Sequence, residues 1–426
     1  MQRKAEFLTV EEISNLQQTK LQQTLAYVNL FSPYYKSLFL KHKINPETIG
    51  IQNLNSIPFT TKDDLARQNN DFLCVSKNKV ADYVTTSGTL SDPVTFYLTA
   101  NDLERLAYNE ALSLACTGAG EGDVFQLTTT MDKLFMAGIA YFLGIQKLGA
   151  GIIRIGPGTP HAQWDYMLKF SPTVLIAIPS FIPKLLEYAV EHGVDYKKTT
   201  IKKIICLGEP IRHHDFSLNE LGKRILEQWD VQLYSTYAST EMGSAFTECS
   251  YGCGGHAHPE LLVLEVVDEK GLAVNDGELG EVVVTTLGVE GMPLLRYKTG
   301  DLCHVYYGKC NCGRNTPRLG PVMGRKQQMI KYKGTTLYPQ AIFNVLNMLP
   351  VINIFQVQVS KDGLGNDEVT VLLADRIHSA KFESELQSLF KSKLRVTPKL
   401  KFIGVNHLNE LIYKADKRKP EKIVYL

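Results

Sequence analysis

An α/β protein is predicted, with a large N-terminal domain built on mostly parallel strands, a β-rich subdomain within it, and a small α+β C-terminal domain. Three observations carry this expectation. From Val124 to Ser235 short apolar strands alternate with helical stretches, the pattern of a parallel sheet covered by helices. After Gly255 the texture changes to alternating hairpins that turn at glycine. The 426 residues also exceed what one hydrophobic core holds. Domains are expected at 1–324, with the β-rich part at about 249–320, and at 325–426.

The elements follow in order. Thr9 with Glu12 forms a capping box, and Ile13, Leu16, Leu21, Leu25 and Val28 fall on one side of a helix that Pro33 ends. Asp82 to Thr99 reads as strand, polar loop and strand, with Ser87, Gly88 and Thr89 at the turn. Apolar strands are expected at Val124 to Leu127, Ile152 to Ile155, Val174 to Ile178, Lys203 to Cys206 and Val231 to Tyr234. Ligands of such sheets sit beyond the carboxyl ends of the strands. IPSF (Ile178 to Phe181), LGEP (Leu207 to Pro210) and YASTE (Tyr237 to Glu241) are expected there. The last segment offers strands near Gln356 to Ser360 and Val369 to Leu373 and a helix near Lys381 to Lys393.

Composition narrows the function classes. Hydrophobic residues make up 44% and charged residues 21%, ordinary for a globular protein. A net charge of +2 gives no argument for a nucleic-acid partner. Residues 391–422 nevertheless hold ten Lys/Arg against three Asp/Glu, a basic face that phosphate-bearing substrates would welcome. MQRKAEFLTVEE lacks the apolar core of a secretory signal, and no run approaches a membrane span. A cytoplasmic protein is therefore expected, in which the eight cysteines are thiols or metal ligands.

The stretch 296–339 organises the rest. It reads RYKTGDLCHVYYGKCNCGRNTPRLGPVMGRKQQMIKYKGTTLYP. Asp301 follows a Thr299-Gly300 turn, Arg325 follows Gly324, and a lysine-rich strand and turn runs from Lys331 to Gly334. A carboxylate can hold two ribose hydroxyls and a guanidinium can grip phosphate oxygens bidentately, so the order suits a nucleotide site at a hinge. A hairpin turn and a loop are the plainer alternative. The hydroxyls and small residues of TTSGTLSDP, Thr85 to Pro93, let backbone N–H groups close around a polyphosphate. Glu241 of YASTE can meet Mg2+ with its carboxylate. Cys249, His256, Cys310 and Cys312 supply three thiolates and an imidazole, a tetrahedral zinc set with Cys253 and His258 as rivals. KADKRKPEKIVYL holds a lysine cluster, which taken alone is a solvated basic face.

Taken in order, these blocks resemble the adenylate-forming superfamily, in which YRTGDL precedes a GRxDD hinge and a KxxG turn, and they most resemble its phenylacetate-CoA ligase branch. The resemblance implies the fold of those enzymes, with a mobile C-terminal domain, and an ATP-dependent ligase that makes an acyl-AMP from an aryl or arylacetic acid and passes it to CoA. Ser87, Gly88 and Thr89 would then cradle phosphate. Gly208, Glu209 and Pro210 would border the adenine, Tyr237 would stack near it, and Thr240 and Glu241 would face phosphate and Mg2+. Phe135, Ala137 and Gly138 of LFMAG, with Pro179, Ser180 and Phe181, would wall the acyl pocket. Asp301, Arg325, Lys331 and Gly334 take the hinge and turn roles, and Lys419 the catalytic lysine, with Lys417 and Lys422 close rivals. The C-x6-H and CxCGR pairing implies structural Zn2+.

The chain also departs from the family pattern. Leu90, Ser91 and Asp92 stand in the phosphate loop where Thr, Gly and Lys are common, and Gln327 and Gln328 replace the hinge aspartates. An acyl carrier protein as acceptor, or a nucleotide-binding homologue with impaired catalysis, remain rival readings, and a homodimer is left open.

Overall fold

The computed structural model describes residues 4–86, 93–363, 365–414 and 420–426. They form two compact units, Met1–Ser217 with Ile225–Val322, and Leu218–Arg224 with Met323–Leu426.

The first unit opens on a helix, Val10–Phe31, with the Thr9–Glu12 capping box in place. Ile13, Leu21, Leu25 and Val28 are its buried face. Ser32 ends it and caps a second helix, Pro33–His42, in which Pro33 occupies the first turn where its missing N–H costs nothing. A hairpin, Val80–Thr85 with Thr95–Thr99, brackets the expected phosphate-loop segment. Residues 87–92, and with them the candidates Ser87, Gly88 and Thr89, lie outside the described residues.

Five parallel strands then make half of the main sheet, in the spatial order Gly151–Arg154, Val124–Leu127, Val174–Ala177, Lys203–Leu207 and Gln232–Ser239. Val174–Ala177 is buried along its whole length, which explains its unbroken apolar run. The chain leaves Val124–Leu127 toward one side and returns to pair on the other, so the strand order reverses between Val124–Leu127 and Val174–Ala177. Such a switch opens a crevice beyond the strand ends. The β-rich stretch does not form a sheet of its own. Gln232–Ser239 pairs antiparallel with Ser244–Glu248, and the order continues through Gly255–His256, Arg318–Leu319, Tyr297–Tyr306, Leu279–Thr286 and Leu262–Val267. One mixed sheet results, because a single strand pairs on both of its edges.

In the second unit the strands Lys399–Ile403, Asp367–Ala374, Phe355–Lys361 and Ile423–Tyr425 lie in that order. The helices Pro339–Asn347 and Ala380–Leu394 bury Ile342, Leu346, Leu386 and Phe390 in its core. A separate hairpin joins Ile330–Tyr332 to Thr335–Leu337. Its two-residue turn, Lys333-Gly334, has φ of 49° and 77°, the paired left-handed conformation of a type I′ turn. Among the described residues no helix is long and apolar enough to cross a membrane.

Candidate active site

The Thr299-Gly300-Asp301 segment lies inside a strand rather than at its end. Lys298 pairs with Val283 and Leu302 with Glu281, so three residues on one strand face the single Val282 on its neighbour. This bulge, with Gly300 at φ 77°, re-aims Asp301 out of the regular alternation. Thr299 fixes it from both sides, donating its hydroxyl to the Val282 carbonyl at 2.9 Å and accepting the Asp301 N–H at 3.1 Å.

Asp301 is buried and accepts the Tyr237 hydroxyl at 2.8 Å. Two candidates that stand 64 residues apart in sequence are thus one unit. Burial first, and then the charge of Asp301, hold the Tyr237 phenol well above its ordinary pKa, so it stays a donor at neutral pH. The Tyr237 ring stacks on Phe246 with centroids 5.9 Å apart. Tyr237 itself sits within a strand. Its parallel neighbour ends at Leu207 opposite Thr236, and the antiparallel partner Ser244–Glu248 carries it further, pairing Tyr237 with Phe246.

Beyond that strand the chain turns through Thr240, Glu241, Met242 and Gly243, with the Met242 N–H donating to Ser239 Oγ at 3.3 Å. Thr240 and Glu241 line a small cavity of about 30 Å³ together with Met136, Leu106, Met292 and Arg105. Met136 begins the helix Met136–Leu148, for which Phe135 is the N-cap, so the expected acyl-pocket segment and the Thr240–Glu241 turn border one space. The Leu134 carbonyl accepts the Thr85 N–H at 3.0 Å, at the first residue of the expected phosphate loop. Gly138 is needed where it stands, since a Cβ there would lie 2.1 Å from the Thr130 carbonyl oxygen.

LGEP and IPSF are also brought together. Glu209 accepts the Ser180 N–H at 3.0 Å and the Ser180 hydroxyl at 3.1 Å. Gly208, at φ 77°, turns the chain out of its strand, and Pro179, Ser180 and Phe181 form one short 3-10 turn. Glu209 thereby latches two loops on adjacent parallel strands, next to Pro210.

In the second unit Gly324 leaves room for Tyr338, whose ring would lie 2.4 Å from a Cβ at that position. Arg325 precedes the 3-10 turn Lys326–Gln328, which holds both Gln327 and Gln328, and Tyr425 donates to the Gln328 carbonyl at 3.1 Å. The Lys331 N–H donates to Asp367 at 2.7 Å. Residues 415–419, and hence Lys417 and Lys419, lie outside the described residues. Lys422 leads into the strand Ile423–Tyr425, its carbonyl accepting the Val357 N–H at 2.8 Å.

The cysteine and histidine set converges. One donor atom each from Cys249, His256, Cys310 and Cys312 lies within 4.8 Å of all the others. Cys249 and Cys310 sulfurs are 3.7 Å apart, and Cys312 Sγ is 3.5 Å from His256 Nε2. His256 Nδ1 lies 3.2 Å from Thr316 Oγ1, which orients the ring with Nε2 toward the sulfurs. Both rivals point elsewhere. His258 Nε2 meets Ser113 Oγ at 3.0 Å, and Cys253 Sγ meets the Tyr251 carbonyl at 3.1 Å.

Two arginines carry structural duties near these groups that no motif announced. Arg296, at φ 45°, donates to the Asn55 and Ile57 carbonyls at 3.0 and 2.8 Å and to Glu265 at 2.9 Å. It directly precedes the strand Tyr297–Tyr306 that bulges at Asp301. Arg105 is the second. Their partners are distant in sequence, so the only available signal was a cation inside an otherwise apolar pattern.

The family model described as AMP-binding enzyme matches residues 28–291. A phenylacetate-coenzyme A ligase of Thermus thermophilus is 31% identical over 84% of this chain and 80% of its own length. One from Aromatoleum evansii is 26% identical over 83% and 80%. The fold is that of a solved 2-hydroxyisobutyryl-CoA ligase in its postadenylation state with 2-HIB-AMP, 22% identical, with 99% of this chain and 91% of that one covered at a TM-score of 0.86. The chain therefore belongs to the AMP-binding enzymes and, among them, to the phenylacetate-CoA ligase family.

Proposed function

We propose that this chain is an ATP-dependent acid–CoA ligase acting on an aryl or arylacetic acid. The observation that carries the reading is the Tyr237–Asp301 pair set in a bulge of the same sheet that ends in the Thr240–Glu241 turn. A buried carboxylate held by a phenol is suited to two ribose hydroxyls, and the phenol's ring to a flat base.

In the first half-reaction a carboxylate oxygen of the acid attacks the α-phosphorus of ATP. The bond to the bridging oxygen breaks, pyrophosphate leaves, and acyl-AMP forms. In the second, the CoA sulfur attacks the acyl carbonyl, the bond to AMP breaks, and the thiol proton passes to solvent. Asp301 and Tyr237 hold the nucleoside, Gly208, Glu209 and Pro210 border its base, and Thr240 and Glu241 face the phosphates. Mg2+ bound at Glu241 would neutralise phosphate charge. Phe135, Ala137, Gly138, Pro179, Ser180 and Phe181 orient the acid and exclude water at the switch-point crevice. For Ser87, Gly88, Thr89 and Lys419, and for Arg325, Lys331 and Gly334 of the second unit, the reading keeps the phosphate, catalytic and pantetheine roles that the family resemblance implies.

The thiol and imidazole cluster is read as a structural zinc site. A tetrahedral ion with Zn–S bonds of about 2.3 Å spans sulfur pairs about 3.8 Å apart, close to the 3.7 Å between Cys249 and Cys310. Four protein donors leave no position open for substrate water. A reducing cytoplasmic compartment fits eight free cysteines, three of them gathered with His256 at this cluster.

Pyrophosphate exchange into ATP, run over a panel of aromatic and aliphatic carboxylic acids with and without CoA, tests the function. The expected result is exchange that depends on an aryl or arylacetic acid, with thioester made only when CoA is added. Exchange without CoA turnover would favour a carrier-protein acceptor meeting the basic 391–422 stretch. No exchange with any acid would sink the ligase reading.

A further inference from the structure

The helix Ala100–Cys116 starts where the strand that follows the phosphate-loop segment ends. Thr99 is its N-cap, and Asp102 completes a capping box. Asp102 also accepts the Glu290 and Gly291 N–H groups at 2.7 and 2.8 Å, tying the helix start to a turn of the antiparallel half of the sheet.

One turn further on, Arg105 gathers three separate backbone stretches. Its Nε donates to the Leu287 carbonyl at 2.9 Å, Nη2 to the Leu261 carbonyl at 2.6 Å, and Nη1 to the Gly243 carbonyl at 2.7 Å. Nη2 also reaches Ser244 Oγ at 3.3 Å. Burial pulls the guanidinium below its ordinary pKa, to about 10, so it remains charged at neutral pH. A cation that spends its donors on carbonyls is acting as a clamp. Only the planar fork of Arg can reach all three at once, because the Lys ammonium is a single point.

The Gly243 carbonyl is the end of the turn that carries Glu241. Gly243 is itself in the left-handed region, at φ 52°, and a Cβ there would stand 3.4 Å from Arg105 Nη1. Arg105 and Glu241 line the same cavity. Asp102 accepts the Thr99 N–H at 3.0 Å, so the helix that carries Arg105 is fixed at its start to the strand Thr95–Thr99 while its clamp holds the Glu241 turn.

The geometry points to Arg105 as a positioning residue for Glu241: its fork fixes the turn and thereby sets the site's affinity for the metal-bound triphosphate. This rests on the reading of Glu241 as the Mg2+ contact. Displacing a carboxylate by about 1 Å is enough to cost about a hundredfold in a positioned step.

The test is equilibrium binding of MgATP and of AMP to the full chain, with Mn2+ titrated into the enzyme–ATP complex by electron paramagnetic resonance. Arg105→Lys keeps the charge and the stem but lacks the fork. It is expected to weaken MgATP and Mn2+ binding at least about tenfold and to leave AMP binding within about twofold, because AMP carries no β- or γ-phosphate. Arg105→Gln should do the same more strongly; if it fails to fold, Arg105→Lys decides alone. Equal losses for MgATP and AMP would mean a merely structural role and overturn the proposal, as would an unchanged MgATP affinity. Glu241→Gln separates the two layers. If it binds MgATP as the parent does, the metal role of Glu241 falls, and Arg105 has no carboxylate to position.

Discussion

Replacing Asp301 by Asn is expected to weaken AMP binding by about 10²- to 10⁴-fold and to lower kcat/KM for ATP by a similar factor. Two hydrogen bonds from ribose hydroxyls to a buried carboxylate are worth roughly 1.5–3 kcal/mol each, or about 3–6 kcal/mol together. Asn keeps an acceptor oxygen for the Tyr237 hydroxyl, so the pair survives while the charge goes. Tyr237→Phe is the contrast. It leaves the carboxylate intact and removes one neutral donor, so AMP affinity should fall by no more than about tenfold. Calorimetric binding of AMP checks both. An Asp301→Asn variant that melts like the parent and binds AMP within threefold of it would remove Asp301 from the nucleotide site.

The second large effect concerns the cluster of Cys249, His256, Cys310 and Cys312. Purified protein is expected to carry about one zinc per chain by metal analysis, and Cys310→Ser to lose most of it. Structural zinc contributes apparent binding energies of about 10–16 kcal/mol in small domains, comparable to the 5–15 kcal/mol that holds a whole protein folded. Cys310→Ser should therefore be insoluble or melt at least roughly 10 °C lower. In the soluble fraction that keeps metal, AMP affinity should match the parent. Absence of stoichiometric metal, together with an unchanged melting temperature in the variant, would show that the cluster is four thiol and imidazole groups without an ion.

The parallel strands could be read from the sequence because burial on both faces forces unbroken apolar runs, and Val174–Ala177 is the clearest case. The Thr9–Glu12 box and the four metal-type ligands were legible for the same kind of reason, since local chemistry fixes them. The bulge at Thr299 to Asp301 was not. A bulge exists only relative to the register of its partner strand, and nothing in TGD names Val282 as the residue it must straddle. The continuity of the mixed sheet was hidden likewise, because Arg318–Leu319 is two residues long and its partners lie far away in sequence. The site shows the same division. Motifs marked Tyr237, Glu241 and Asp301 singly, whereas the Tyr237–Asp301 bond, the Glu209–Ser180 latch and the Arg105 clamp are long-range pairings that only the fold creates.

Labelling the acid addresses the chemistry most directly. Phenylacetate carrying 18O in both carboxylate oxygens, incubated with the enzyme, ATP and CoA, should yield AMP with one 18O in its phosphate, because the oxygen that attacks phosphorus stays with the nucleotide when sulfur displaces it. Label appearing in inorganic phosphate with ADP as the nucleotide product, or AMP formed without label, would contradict attack at the α-phosphorus and the adenylate site built around Asp301.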